Sequence, residues 1–144
     1  MLRRLAIMGL ICIGAMAAKA DVATIVNSGS TNRAGFRIAI DDAGVAEFTA
    51  TPRRLRAPEE QAKPLRQVLP AATAKRFRAD LEAAKPFDAL PKVHCAKSAS
   101  FGSRLTVEFD GEETPDLGCG AGGSDTMRNL ILDVREISGL FQVH

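Results

Sequence analysis

The chain has no tryptophan and no tyrosine, and among Phe, Trp and Tyr it holds only seven phenylalanines in 144 residues. Rings with one apolar and one polar end are the usual anchors of sugar-stacking sites and adhesive contact patches, so their absence argues against both. Single-stranded nucleic acid needs aromatic platforms between basic residues. None is interleaved with Arg53, Arg54 and Arg56. Histidine is nearly as scarce, at His94 and His144, which leaves little imidazole for a metal centre. There is no Gly-x-Ser-x-Gly elbow and no EF-hand spacing. The one long apolar run, Leu5 to Met16, is too short for a comfortable membrane span.

That run instead reads as an export signal. Arg3 and Arg4 form a positive n-region, and Ala17-Ala18-Lys19-Ala20 ends in a small-x-small pattern before Asp21. Residues 1–20 are therefore expected to be a signal peptide and residues 21–144 a single α+β domain, periplasmic or secreted, with no membrane span after cleavage. Bulky Ile11 before Cys12 argues against a lipoprotein anchor. The surroundings of the Arg3-Arg4 pair do not otherwise fit a twin-arginine signal, so the general secretory route is expected. Loss of Arg3, Arg4 and Lys19 leaves 16 basic against 17 acidic residues, so the net charge falls from +2 to about −1. The basic pI belongs largely to the signal and carries no argument for nucleic acid.

Cys12 leaves with the signal, and Cys95 and Cys119 remain. Two cysteines in an oxidising compartment most often pair. A free thiol and a two-cysteine metal site are the alternatives, and neither has support elsewhere in the sequence.

Residues 21–27 predict a short first strand. After the Ser28-Gly29-Ser30-Thr31-Asn32 turn cluster, the alternation of Phe36, Ile38 and Ile40 predicts a second. Asp41-Asp42-Ala43-Gly44 is a turn signal, and residues 45–50 complete a hairpin with Ala46, Phe48 and Ala50 on one face. Residues 51–70 carry Pro52, Pro58, Pro64 and Pro70 without a clean period and read as a long surface connection. A helix is expected over 71–85, with Ala74, Phe77, Leu81 and Ala84 on its apolar face and Pro86 as its stop. Phe87 and Leu90 would close over it. Leu105, Val107 and Phe109 alternate into Asp110-Gly111, a hairpin pair, with a return strand over 112–117 limited by Pro115. Ser124 or Asp125 caps a final helix bearing Met127, Leu130, Ile131, Val134 and Ile137, with Gly139 as its C′ residue and 140–143 as a docking tail. The order β-β-β-α-β-β-α implies an antiparallel sheet with both helices on one face.

Chemistry-bearing residues are few. Ser98 or Ser100 could act as a nucleophile with His94 or Lys97 as base, but a loop held by Cys95 accounts for the same residues. Asp110, Glu112, Glu113 and Asp116 offer oxygen ligands, yet Asp110-Gly111 is already explained by the turn. The middle of the chain is basic, through Arg53, Arg54, Arg56, Lys63, Arg66, Lys75, Arg76 and Arg78. It reads as a solvated face or a contact for an acidic partner.

Three segments carry a resemblance. They are the Ser28 to Asn32 turn leading into Gly35-Phe36-Arg37-Ile38, then His94-Cys95-Ala96-Lys97-Ser98-Ala99-Ser100-Phe101-Gly102, then Thr114-Pro115-Asp116-Leu117-Gly118-Cys119. Together they resemble a group of small uncharacterised exported bacterial proteins, a domain of unknown function with Cys-x-Lys-Ser-x-Ser-Phe-Gly and Pro-Asp-Leu-x-Cys segments. The resemblance implies pairing of Cys95 with Cys119. It implies no activity, catalytic residue or cofactor. The expected function is that of an exported non-catalytic module contacting another envelope or secreted protein. The candidate contact residues are Ser30, Asn32, Arg53, Arg54, Arg56, Lys97, Ser98 and Ser100. A small serine hydrolase and a secreted enzyme inhibitor presenting the long connection are the alternatives. No metal, cofactor or nucleic-acid partner is expected.

Overall fold

A computed structural model describes residues 22–51 and 63–141. The expected signal peptide and the Arg53, Arg54 and Arg56 cluster lie outside the described residues. Alternating apolar side chains build one face of a sheet. Strand β1 (Ala23–Asn27) buries Ala23 and Ile25, β2 (Gly35–Ile40) buries Ile38 and Ile40, and β3 (Val45–Thr51) buries Ala46. Strand β4 is Leu65–Val68, and β5 (Leu105–Phe109) adds Val107 and Phe109 before the two-residue β6 (Glu112–Glu113). All pairings are antiparallel, in the order β4-β3-β2-β1-β5-β6. Ile25 stands opposite both Ile38 and Val107, so the centre of the sheet is a continuous row of fully buried aliphatics.

Helices α1 (Ala71–Ala84) and α2 (Asp125–Gly139) pack against this face, and Phe77, Leu81, Leu130, Val134 and Ile137 join the strand residues in one core. Ser124 caps α2 by accepting the Met127 N–H at 3.3 Å, as its sequence position predicts. On the opposite face Arg37 pairs with Glu108 at 2.8 Å and Arg66 with Glu47 at 3.2 Å. Such exposed pairs contribute little. The α+β class, the antiparallel sheet and both helices agree with the sequence reading.

The differences have local causes. The 51–70 connection contains β4, a sixth strand paired to β3. An edge strand that buries almost nothing shows no period, and here Pro64 and Pro70 frame it. The return strand expected over 112–117 stops at Glu113, because the Val107 N–H goes to the Thr114 hydroxyl at 3.0 Å and Pro115 has no N–H. In α1, Ala74 packs half-buried on the core as expected, and Thr73 is buried beside it, its hydroxyl donating to Glu136 of α2 at 2.7 Å. Gly139 is the last helical residue instead of a C′ cap. Phe141 beyond it is buried and stacks on Phe48 with ring centroids 5.5 Å apart.

Candidate functional site

The chain leaves α1 through a cis Lys85–Pro86 peptide and a 3-10 turn at Phe87–Ala89. Phe87 and Leu90 are buried, as the closing-segment reading expects. The Phe87 N–H donates to the Glu112 carboxylate at 2.7 Å, tying this segment to the late hairpin. The hairpin turns through Asp110 (φ 52°) and Gly111 (φ 78°), the left-handed pair that a two-residue loop requires.

Farther along, Cys95 and Cys119 form a disulfide with their Cα atoms 5.4 Å apart. Beside it lies Asp116, the polar centre of the region. One carboxylate oxygen accepts the N–H groups of Leu105 (3.0 Å) and Gly118 (2.9 Å), and the other takes the Lys97 ammonium at 2.5 Å. Burial pushes the Asp116 carboxyl up. The Lys97 ammonium and the two backbone donors outweigh it and hold the group below its ordinary value. Gly122 lets the extended segment pack close, because a Cβ there would sit 2.7 Å from Val93 Cγ2.

Between the 86–97 segment and the 112–119 stretch runs an open groove of about 1030 Å³. Phe87, Val93, Pro115 and the disulfide supply its apolar surface, Asp88, Lys92 and Arg104 its charges, and His94 an imidazole. Its size is at the upper end for small-molecule sites.

At one end of the sheet the structure joins two loops that lie about 70 residues apart in sequence. Ser30 Oγ and the Asn32 N–H both donate to the Ser100 carbonyl, at 2.8 and 3.1 Å, and Thr31 Oγ1 donates to the Ala99 carbonyl at 3.2 Å. The Ser28 N–H meets the Arg104 carbonyl and the Arg104 N–H meets Ser28 Oγ, both at 2.9 Å. Ser30, Asn32, Lys97, Ser98 and Ser100 are therefore brought to one region. Phe101, at the tip of the second loop, is 61% exposed.

This geometry does not assemble the nucleophilic alternative. Ser98 Oγ accepts the Phe101 N–H at 3.1 Å, which shapes the loop. Lys97 donates to Asp116 and to the Ser103 carbonyl. Among the described residues His94 has no hydrogen bond to any serine or carboxylate. The late carboxylates serve the fold. Asp110 takes Lys85, Glu112 takes the Phe87 N–H, Glu113 lies 3.7 Å from Arg104, and Asp116 takes Lys97. No cluster of three metal-ligating side chains occurs among the described residues, and none of the helices there is long and apolar enough to cross a membrane.

A second polar cluster lies in the seam between the helices. Arg76 of the basic middle reaches across to Asp133 at 2.6 Å and to Glu136 at 2.5 Å. The Asp133 side chain is only 2% exposed, and its second oxygen has no hydrogen-bond partner. Burial raises its pKa; Arg76 pulls it down and Asp80 pushes it up, leaving it at about 6. For Glu136 the Thr73 hydroxyl and Arg76 outweigh burial and lower the pKa.

Sequence reasoning misses the hub role of Asp116, the exposure of Phe101, the groove and the seam. The Pro-Asp-Leu-x-Cys spacing does hint at Asp116, since Asp before a short turn often bonds the N–H two residues on. No known family, curated protein or solved structure matches the chain.

Proposed function

We propose that this chain is an exported, non-catalytic module, periplasmic or secreted, that contacts another envelope or secreted protein through its paired loops. The observation that carries the reading is the exposed Phe101, held out by a loop that is hydrogen-bonded to the 28–32 turn. A large apolar ring raised on a braced loop is a natural contact anchor, with Ser30, Asn32, Ser98 and Ser100 as its polar surround. The engagement of Lys97 and Ser98 in local bonds weighs against a hydrolase. Kinship with the small exported bacterial proteins belongs to the same proposal and rests on the three segments quoted above.

The test is photo-crosslinking in cells that export the protein. A benzophenone side chain replaces Phe101 in one variant and Thr49, on the far face of the sheet, in another. A discrete protein adduct from position 101 and none from position 49 is expected, on a mature chain whose intact mass begins at Asp21. Adducts from neither position would overturn the contact reading. Labelling of Ser98 or Ser100 by a serine-directed phosphonate would overturn the non-catalytic one.

A further inference from the structure

The wall of the groove opposite the hairpin is built in an unusual way. Residues 91–98 run without a helix, ladder, turn or bend. Among the described residues, no hydrogen bond reaches the backbone N–H or C=O of any residue from Lys92 to Lys97. The segment is held by its ends and flanks instead, through the disulfide at Cys95, the close packing on Gly122 and the Lys97–Asp116 pair. Six consecutive residues thus keep their backbone donors and acceptors for solvent or for a ligand.

The other wall is a sheet edge. Residues of an antiparallel pair alternate between facing the partner strand and facing away. The Thr114 N–H donates to the Val107 carbonyl at 3.0 Å, so the preceding residue, Glu113, which lines the groove, points its N–H and C=O away from β5. An unpaired edge and an unpaired extended segment flank the same open space. That is the arrangement an added strand occupies.

We propose that the groove binds an extended segment of a partner polypeptide by strand addition, hydrogen-bonded to the outer edge at Glu113 and to the 92–97 segment. The charges select the occupant. Glu112, Glu113 and Asp116 are each engaged within the protein. Asp88 and Lys92 make no ion pair or hydrogen bond among the described residues and stand on one wall. The added segment therefore carries a basic side chain for Asp88 and an acidic one for Lys92. This inference rests on the contact-module reading and names the binding mode of the partner.

The experiment selects random dodecapeptides displayed on phage against the oxidised mature protein, then follows the winners by amide chemical shift and hydrogen exchange. Strand addition predicts slowed exchange at Glu113 and at amides within 92–97. Glu113→Pro removes the outward donor without touching a ladder bond, so it should weaken binding about tenfold, the scale of one hydrogen bond. Asp88→Asn should favour peptides lacking the basic residue. Should Glu113→Pro fail to fold, a backbone N-methylated peptide on the wild-type protein gives the same comparison. Peptides that protect only the 28–32 and 97–102 loops, and ignore Glu113→Pro, would overturn the groove while sparing the contact module. Selection of no peptide at all also overturns the groove, and the crosslink from position 101 then decides the broader reading separately.

Discussion

Asp116 and Asp133 are both carboxylates withdrawn from water in one small domain, and their pKa values move in opposite directions. Asp116 sits at the disulfide-stapled end, where two backbone N–H groups and an ammonium converge on its two oxygens. Asp133 sits in the helix seam with one guanidinium on one oxygen, nothing on the other, and Asp80 as an acidic neighbour. Burial acts upward on both. What separates them is the number of donors the local backbone can offer. A loop that turns around its carboxylate presents free N–H groups, whereas the interior of a helix has spent them on its own ladder.

Both regions lean on the same core, so the largest expected effect is common to them. Phe77, 2% exposed, packs in that core from α1. Phe77→Ala should cost about 3–5 kcal/mol by urea unfolding. A cost below about 1 kcal/mol would mean that α1 stabilises the sheet hardly at all.

The staple comes next. The disulfide spans 24 residues. The chain-entropy account gives about 3.5 kcal/mol for such a loop. Replacing Cys95 and Cys119 together by serine should lower the melting temperature by that measure and loosen the groove wall. Hydrogen exchange should then speed up at the Leu105 and Gly118 amides, which are bonded to Asp116 beside the disulfide, before it does in the helix seam. Equal acceleration in both regions would erase the distinction drawn between them.

Asp116→Ala leaves the Leu105 and Gly118 N–H groups and the Lys97 ammonium without their acceptor, at an expected cost of about 2–3 kcal/mol. Its pH signature is specific. A carboxylate with a lowered folded pKa contributes stability that is present above its unfolded value and lost as pH falls through the folded one. Wild type should therefore lose stability on acidification below about pH 4. Asp116→Asn should remove its share of that limb, with the lowered Glu136 carrying the rest.

The parts of this molecule that were readable in advance are those where burial imposes a period. Ile38 and Ile40 in β2, Leu105 to Phe109 in β5 and the Met127 to Ile137 stripe of α2 each repeat at the spacing of their element. Strand β4 has no such repeat because an edge strand whose side chains stay largely exposed selects no apolar face. The joining of Ser30 to Ser100 was hidden for another reason. It follows from β1 pairing with β5, a long-range choice that neither loop encodes locally. Asp133 was hidden by its company. It stands beside the apolar stripe of α2 as a polar residue would on a solvated face, and only Arg76 and Thr73 on the facing helix show that this face is a seam.

That seam carries the smallest expected effect and the sharpest sign. Asp133 is raised to about 6, so its contribution is fully present below the unfolded carboxylate pKa and is lost as pH rises through 6. Between about pH 4 and 6 stability therefore declines as the pH rises, and above 6 the full cost of the buried charge remains. Asparagine is nearly isosteric. Its Oδ1 can still accept from Arg76, and its Nδ2 supplies a proton on the side of Asp80 that the carboxylate lacks at neutral pH. The weaker bond to Arg76 offsets part of the relief. Asp133→Asn should thus gain about 1 kcal/mol at pH 7.5 and abolish the decline between pH 4 and 6, leaving the acid limb of Asp116 untouched. Melting temperatures of the variant across pH 3 to 8 would measure this. If the decline persists in Asp133→Asn, Asp133 is not the group that carries it, and the contrast with Asp116 falls.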